Sequence, residues 1–275
     1  MSTRQSFLRA LAERARWYDL PLLASVPAVL FAVYALPDAV KYDYVLSYTD
    51  PTLVTLYTSS FVHIARPHLV ANVSTYVLLA GATYLLATLS GRRARFYAAF
   101  ITFLTVFPVV LSLLNLAFIR PRIGYGFSGV NMAFVGLLPT MLVGYVSRQF
   151  TAEVLDSHAP ALFFVGTGVI ALIAVPSRIG ALAVAVVAGA GVLLYVRDIY
   201  ADVSDLSIAG FQHALTPAGH LELAALSLVL FVGAPFAAFT TVSFGDGTVL
   251  NLYSHLLGYC LGYLAPYLTI RLVSL

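Results

Sequence analysis

The sequence predicts an all-α polytopic membrane protein, and three observations carry that reading. Of its 275 residues, 60% are hydrophobic and only 10% are charged, where a soluble domain carries about 25% charged residues. Mean hydropathy is +0.91. Apolar runs of roughly 17–25 residues, long enough to cross a bilayer as helices, recur between short polar or basic turns. About eight such spans are expected when the run 160–197 is read as a hairpin of two. No linker or low-complexity stretch marks a boundary, so 1–275 reads as a single transmembrane domain. One cysteine, Cys260, excludes a disulfide framework, and the net charge of +3 gives no sign of nucleic-acid binding.

Residues 1–18 set Arg4, Arg9, Arg14 and Arg16 among Phe7, Leu8, Leu11 and Trp17. That pattern predicts a short basic helix on the membrane surface. An uncleaved span over about Leu20 to Leu36 follows. It is long for a signal-peptide core, and no small-x-small site comes after it. Residues 37–60 mix tyrosines with Asp38, Lys41, Asp43 and Asp50, as in a loop half-sunk in the headgroup layer. Spans are then expected from about His68 to Leu89 and from Phe96 to Phe118, with the basic turn Arg92-Arg93-Ala94-Arg95 between them. Pro108 sits inside the second of these, where neighbouring helices can satisfy the carbonyl it frees.

The next span opens on Gly126-Phe127-Ser128-Gly129 and runs to about Tyr145. The stretch 160–197 is apolar except for Pro176-Ser177-Arg178, which predicts the hairpin. A polar segment over 198–222 contains Asp198, Asp202, Asp205, His213, His220 and Glu222. His158, His213 and His220 lie in such connections and read as solvated. Spans over about Leu223 to Val242 and Leu250 to Ile270 complete the chain, with a glycine turn at 243–247 between them.

On eight spans both ends share a side. Arg4, Arg9, Arg14, Arg16, Arg92, Arg93, Arg95, Arg148, Arg197 and Arg271 fall there, and Lys41, Arg66, Arg120, Arg122 and Arg178 fall opposite. The bias predicts cytoplasmic ends.

Ser128 opens a helix between glycines, where unpaired N–H groups and partial positive charge suit a developing oxyanion. That makes it a candidate nucleophile. G-x-S-G also occurs as plain helix packing, and it is not the G-x-S-x-G elbow of soluble hydrolases, because position 130 is Val. Ionisable groups inside spans are functional suspects, and two qualify, His68 and His255. Asn72 lies one turn from His68 on the same face. Gly258 and Gly262 give the last helix a small-x-x-x-small face, which together with Gly129 permits close approach. A zinc site on His63, His68 and His255 is a further possibility, although His63 and His68 are not at helical ligand spacing and no carboxylates support them. Cys260 reads as packing.

Three blocks occur in order: His63-x4-His68-x3-Asn72, then Gly126-Phe127-Ser128-Gly129, then His255-x2-Gly258-x3-Gly262. Together they resemble the rhomboid family of intramembrane serine proteases, over about a quarter of the chain. The resemblance implies a rhomboid-like bundle of six core spans, with the hairpin as an insertion. It implies Ser128 as nucleophile, His255 as general base and acid, and an oxyanion hole of His68, Asn72 and the Ser128 N–H. His63 takes a structural role near the site. No metal or cofactor is implied. The implied partners are the lipid bilayer and transmembrane protein substrates, cut near their extracytoplasmic ends. The implied setting is a prokaryotic cell membrane, with oligomeric state left open.

Three departures stand out. Three spans, not one, separate Ser128 from His255. Met132 replaces the expected aromatic under the base. The Trp-Arg pair expected in the first long loop is absent from 37–60. Two other readings remain: a catalytically silent rhomboid-like binder of membrane proteins, and a small transporter. The transporter reading predicts inverted repeats, and the sequence has none.

Overall fold

The computed structural model describes residues 7–117, 122–150, 156–203, 218–239 and 251–273. Arg4, Arg120, Asp205, His213 and the 243–247 turn lie outside the described residues. Twelve helices occur among those described: α1 (Phe7–Arg14), α2 (Asp19–Tyr34), α3 (Asp38–Tyr42), α4 (Leu53–Thr58), α5 (Arg66–Leu89), α6 (Arg93–Thr105), α7 (Phe107–Asn115), α8 (Ser128–Gln149), α9 (Ala159–Ala174), α10 (Arg178–Val203), α11 (His220–Phe239) and α12 (Leu252–Val273). Among the described residues, five helices are long and apolar enough to cross a membrane. The number rises to seven if the pairs α1–α2 and α6–α7, bent by 83° and 48°, each count as one span. The chain is thus an all-helical, multi-pass membrane bundle.

Packing divides it into two compact units, one of Trp17–Gly81, Tyr97–Gly136 and Thr241–Leu275, the other of Met1–Arg16, Ala82–Phe96 and Leu137–Thr240.

In the first unit, proline placement explains two of the long-range bonds that tie its helices. A proline inside a helix lacks the N–H that would bond the carbonyl four residues earlier. Pro27 in α2 frees the Leu23 carbonyl, and the Tyr76 hydroxyl of α5 donates to it at 2.9 Å. Pro108 at the start of α7 frees the Leu104 carbonyl, and the Tyr57 hydroxyl donates to that at 3.2 Å. The bend between α6 and α7 falls at this proline. Tyr76 also packs edge-on against Phe127 and Phe134. Tyr76→Phe keeps the ring and deletes the donor. It is expected to cost ~1 kcal/mol, seen as a lower unfolding midpoint in detergent.

The first long connection is built from short elements rather than open loop. Thr52 and Thr55 form a reciprocal capping box at the start of α4. Strand β1 (Leu46–Ser47) pairs antiparallel with β2 (Ile123–Gly124), Leu46 opposite Gly124 and Ser47 opposite Ile123. The Tyr48 N–H extends the ladder to the Arg122 carbonyl at 3.2 Å. This ladder clamps the connection to the segment that leads into α8. Lys41, in the connection expected to lie half-sunk in the headgroup layer, is buried. It pairs with Asp38 at 2.8 Å, donates to the Tyr34 carbonyl and lies over the Tyr34 ring.

In the second unit, α9 and α10 pack on one another across the Val175-Pro176-Ser177 break, and α11 packs on α9. Two histidine readings need correction here. His158 and His220 are buried, not solvated. Aromatic rings cover His220: Phe7 meets it edge-on, and the Tyr145 hydroxyl lies 2.6 Å from its Nδ1. A polar stretch of sequence does not reveal that apolar rings from other helices will close over it. Arg92 pairs with Asp156 at 2.5 Å, against the bare Cα of Gly144.

Candidate active site

Ser128 is the first residue of α8, and the chain enters it through Gly126 at φ +111°. Only glycine takes that conformation without strain. A side chain at 126 would also collide with the imidazole of His68, whose Cε1 lies 2.6 Å from where a Cβ would stand. The Gly126 N–H is held by the Ser59 carbonyl at 2.9 Å. Phe127 is fully buried against Phe61 and Tyr76, which anchors the turn on one side. Ser128 itself is half-buried. It opens on a cavity of about 660 Å³, whose walls include His68, Gly126, Gly129, Asn115, Asn251 and Ser254.

The close helix approach is present and runs for about two turns, from Gly129 to Gly136. A Cβ on Gly258 would strike the Gly129 carbonyl, one on Gly262 the Ala133 carbonyl, and one on Gly136 the Tyr259 carbonyl. Helices α8 and α12 therefore touch backbone to backbone, nearer than the 8–10 Å usual with side chains between. His255 is buried three residues before Gly258 on the same face of α12. Its neighbour Ser254 has its Oγ 3.1 Å from a Gly129 Cβ position. Met132 is buried, with its Cβ against Gly258. Among the described residues no hydrogen bond joins the Ser128 hydroxyl to Nε2 of His255, which is shielded from solvent. Catalytic hydrogen bonds are often long in ligand-free structures and tighten on binding.

His68 and Asn72 both project from the first turns of α5. The His68 ring packs edge-on to His63, with centroids 4.9 Å apart, and lines the cavity. Asn72 is buried, and one N–H of its Nδ2 donates to the His68 carbonyl at 3.0 Å. Asn72 and His255 do not line the cavity.

His63, in the connection before α5, has a clear structural role. Its Nδ1 bonds the Phe61 carbonyl at 3.3 Å, and its Nε2 accepts from the Phe127 N–H at 3.4 Å. That pairing requires the neutral ring. Burial, and next the neighbouring His68, push its pKa from 6.5 down to about 3; the Phe61 bond works against them and Lys41 adds a little. An unfolded chain protonates His63 near 6.5. Between that value and about 3 the unfolded state therefore holds the extra proton. Stability from this group is full above pH 6.5 and is lost as pH falls, by up to about 5 kcal/mol. The wild-type unfolding midpoint is expected to drop more steeply between pH 7 and 4 than that of His63→Phe.

Sequence reading missed a second polar group on the cavity wall. The Asn251 side chain caps α12, accepting from the Ser254 N–H at 3.2 Å. Its Nδ2 donates to Asn115 Oδ1 at 2.7 Å and to the Tyr48 hydroxyl at 3.1 Å. Asn115 in turn donates to Ser254 Oγ at 3.2 Å. These bonds link α7, α12 and the first connection beside Ser128. The only available signal was asparagine in otherwise apolar helices. Asn131, also missed, bonds Asn72. Among the described residues no three His, Cys, Asp or Glu side chains converge as a metal set, so His63, His68 and His255 do not gather into one. Cys260 is a free, half-buried thiol.

No family model, curated protein or solved structure significantly matches the chain.

Proposed function

We propose that the chain is an intramembrane serine endopeptidase of the rhomboid kind, cutting transmembrane segments of other membrane proteins. The observation that carries the reading is the glycine-lined opening of α8. Ser128 stands at a helix N-terminus on a polar cavity, and α12, which bears His255, meets the next residue backbone to backbone. Such contact makes a Ser–His pair reachable, where ordinary helix spacing forbids it.

In the proposed cycle His255 takes the Ser128 proton and Ser128 attacks a peptide carbonyl. The oxyanion rests on the Ser128 N–H, His68 and the second N–H of Asn72. His255 then protonates the leaving amine, and water from the cavity releases the acyl-enzyme. The bundle has eight spans on this reading: α2, α5, the bent pair α6–α7, α8, α9, α10, α11 and α12. Six form the core, and α9–α10 are the inserted hairpin. The arginine bias puts the ends in the cytoplasm and the cavity on the extracytoplasmic side.

A silent binder of membrane proteins is the second reading, favoured by the unformed Ser128–His255 bond and by Met132 in place of an aromatic. Cleavage of a model transmembrane substrate in liposomes separates the two. The protease reading expects cutting by wild type and none by Ser128→Ala or His255→Ala. Binding without cutting by wild type favours the silent one.

A further inference from the structure

We propose that Asn131 is a positioning residue that fixes which edge of the Asn72 amide faces the reaction, an inference that rests on the serine-protease reading above. Asn131 lies on α8 one turn after Ser128 and is 2% exposed. Its Nδ2 donates to two acceptors of one residue, Asn72 Oδ1 at 3.1 Å and the Asn72 carbonyl at 3.0 Å. An amide has a donor edge and an acceptor edge. With Asn131 presenting N–H groups, Asn72 must turn Oδ1 toward it. A flipped Asn72 would set two N–H edges against each other in a buried site. The Asn72 Nδ2 edge is thereby held on the far side. There one N–H goes to the carbonyl of His68, whose ring lines the cavity, and on the serine-protease reading the second is the one offered to a developing oxyanion when bound substrate opens the cavity to it.

The Asn131 amide is expensive for the fold. Its Oδ1 is buried and has no hydrogen-bond partner among the described residues, a cost of about 1–3 kcal/mol. Leucine has the same branched outline and number of side-chain heavy atoms, is larger, and would sit in this apolar helix without that cost. Helix glue alone does not call for the arrangement either: the bond to the Asn72 backbone carbonyl would join the helices by itself, and the second bond, to Oδ1, falls on the side chain whose orientation matters to the oxyanion.

The test measures kcat, KM and unfolding midpoint for wild type, Asn72→Ala, Asn131→Leu and the double variant, on a model transmembrane substrate in liposomes. Ser128→Ala is the blank. Asn131→Leu is expected to lower kcat about 10–100-fold, with KM changed less than about twofold. In the Asn72→Ala background the same change is expected to cost less than about twofold in kcat, since there is no amide left to orient. Where Asn131→Leu does not fold, Asn131→Ala is held to the same criterion. Losses that multiply in the double variant, or full kcat in Asn131→Leu while Ser128→Ala is dead, overturn this proposal and leave the protease reading standing. No cleavage by wild type, or cleavage surviving Ser128→Ala, overturns both.

Discussion

Gly258→Ala is expected to disable the protein, although it adds one methyl group. The new Cβ would point into the Gly129 carbonyl and against the Met132 Cβ. Backbone cannot swing aside as a side-chain tip can, so α12 must lift from α8. Overpacking of this kind costs typically ~1–3 kcal/mol. The expected result is a lower unfolding midpoint in detergent. Activity suffers more, because a shift of about 1 Å at a reacting pair can cost ~10²-fold in rate. Gly262→Ala and Gly136→Ala meet backbone in the same way and are expected to act alike. Gly81→Ala is the control. Its Cβ meets nothing within 4 Å, and the gain in helix propensity is worth ~1 kcal/mol. Equal tolerance of Ala at 81, 258 and 262 would contradict the close helix contact.

The largest effect on activity is expected at the two groups of the proposed dyad. Ser128→Ala removes the attacking atom, and cleavage is expected to fall to background. His255→Ala leaves the alcohol without its proposed base, a loss of ~10²–10⁴ in rate. His68, the imidazole that lines the cavity, is packed against Gly126 and His63 and so is not placed to substitute. Both variants are expected to unfold near the wild-type temperature. The bonds described above that tie this unit together run through Tyr76, Tyr57, Asn115 and Asn251, and neither substitution alters those side chains.

The helical, multi-pass character, the entry glycines before Ser128 and the small-residue face of α12 were legible because they are local. The span expected over 96–118, by contrast, is two helices bent by 48°, and five to seven spans qualify among the described residues where about eight were expected. Hydropathy and residue size are read one position at a time. What escaped depends on which distant groups meet. The β1–β2 ladder is two residues long on each strand, too short to show a strand period. Pro27 announced a freed carbonyl, but nothing in the sequence named Tyr76 as its donor. Nothing local marks Asn115, Asn131 and Asn251, whose roles rest on their distant partners. His220 looked solvated until Phe7 and Tyr145 closed over it. The Pro108 expectation fared better, because the rule that a freed carbonyl finds a donor is general, and Tyr57 supplies it.

The most direct measurement is covalent capture. Wild-type protein in detergent is treated with a fluorophosphonate, a reagent that phosphonylates base-activated serines, and mapped by peptide mass spectrometry. The account predicts one adduct, on Ser128, absent in Ser128→Ala and formed at least ~10²-fold more slowly in His255→Ala. An unmodified Ser128, or labelling as fast without His255 as with it, would contradict it.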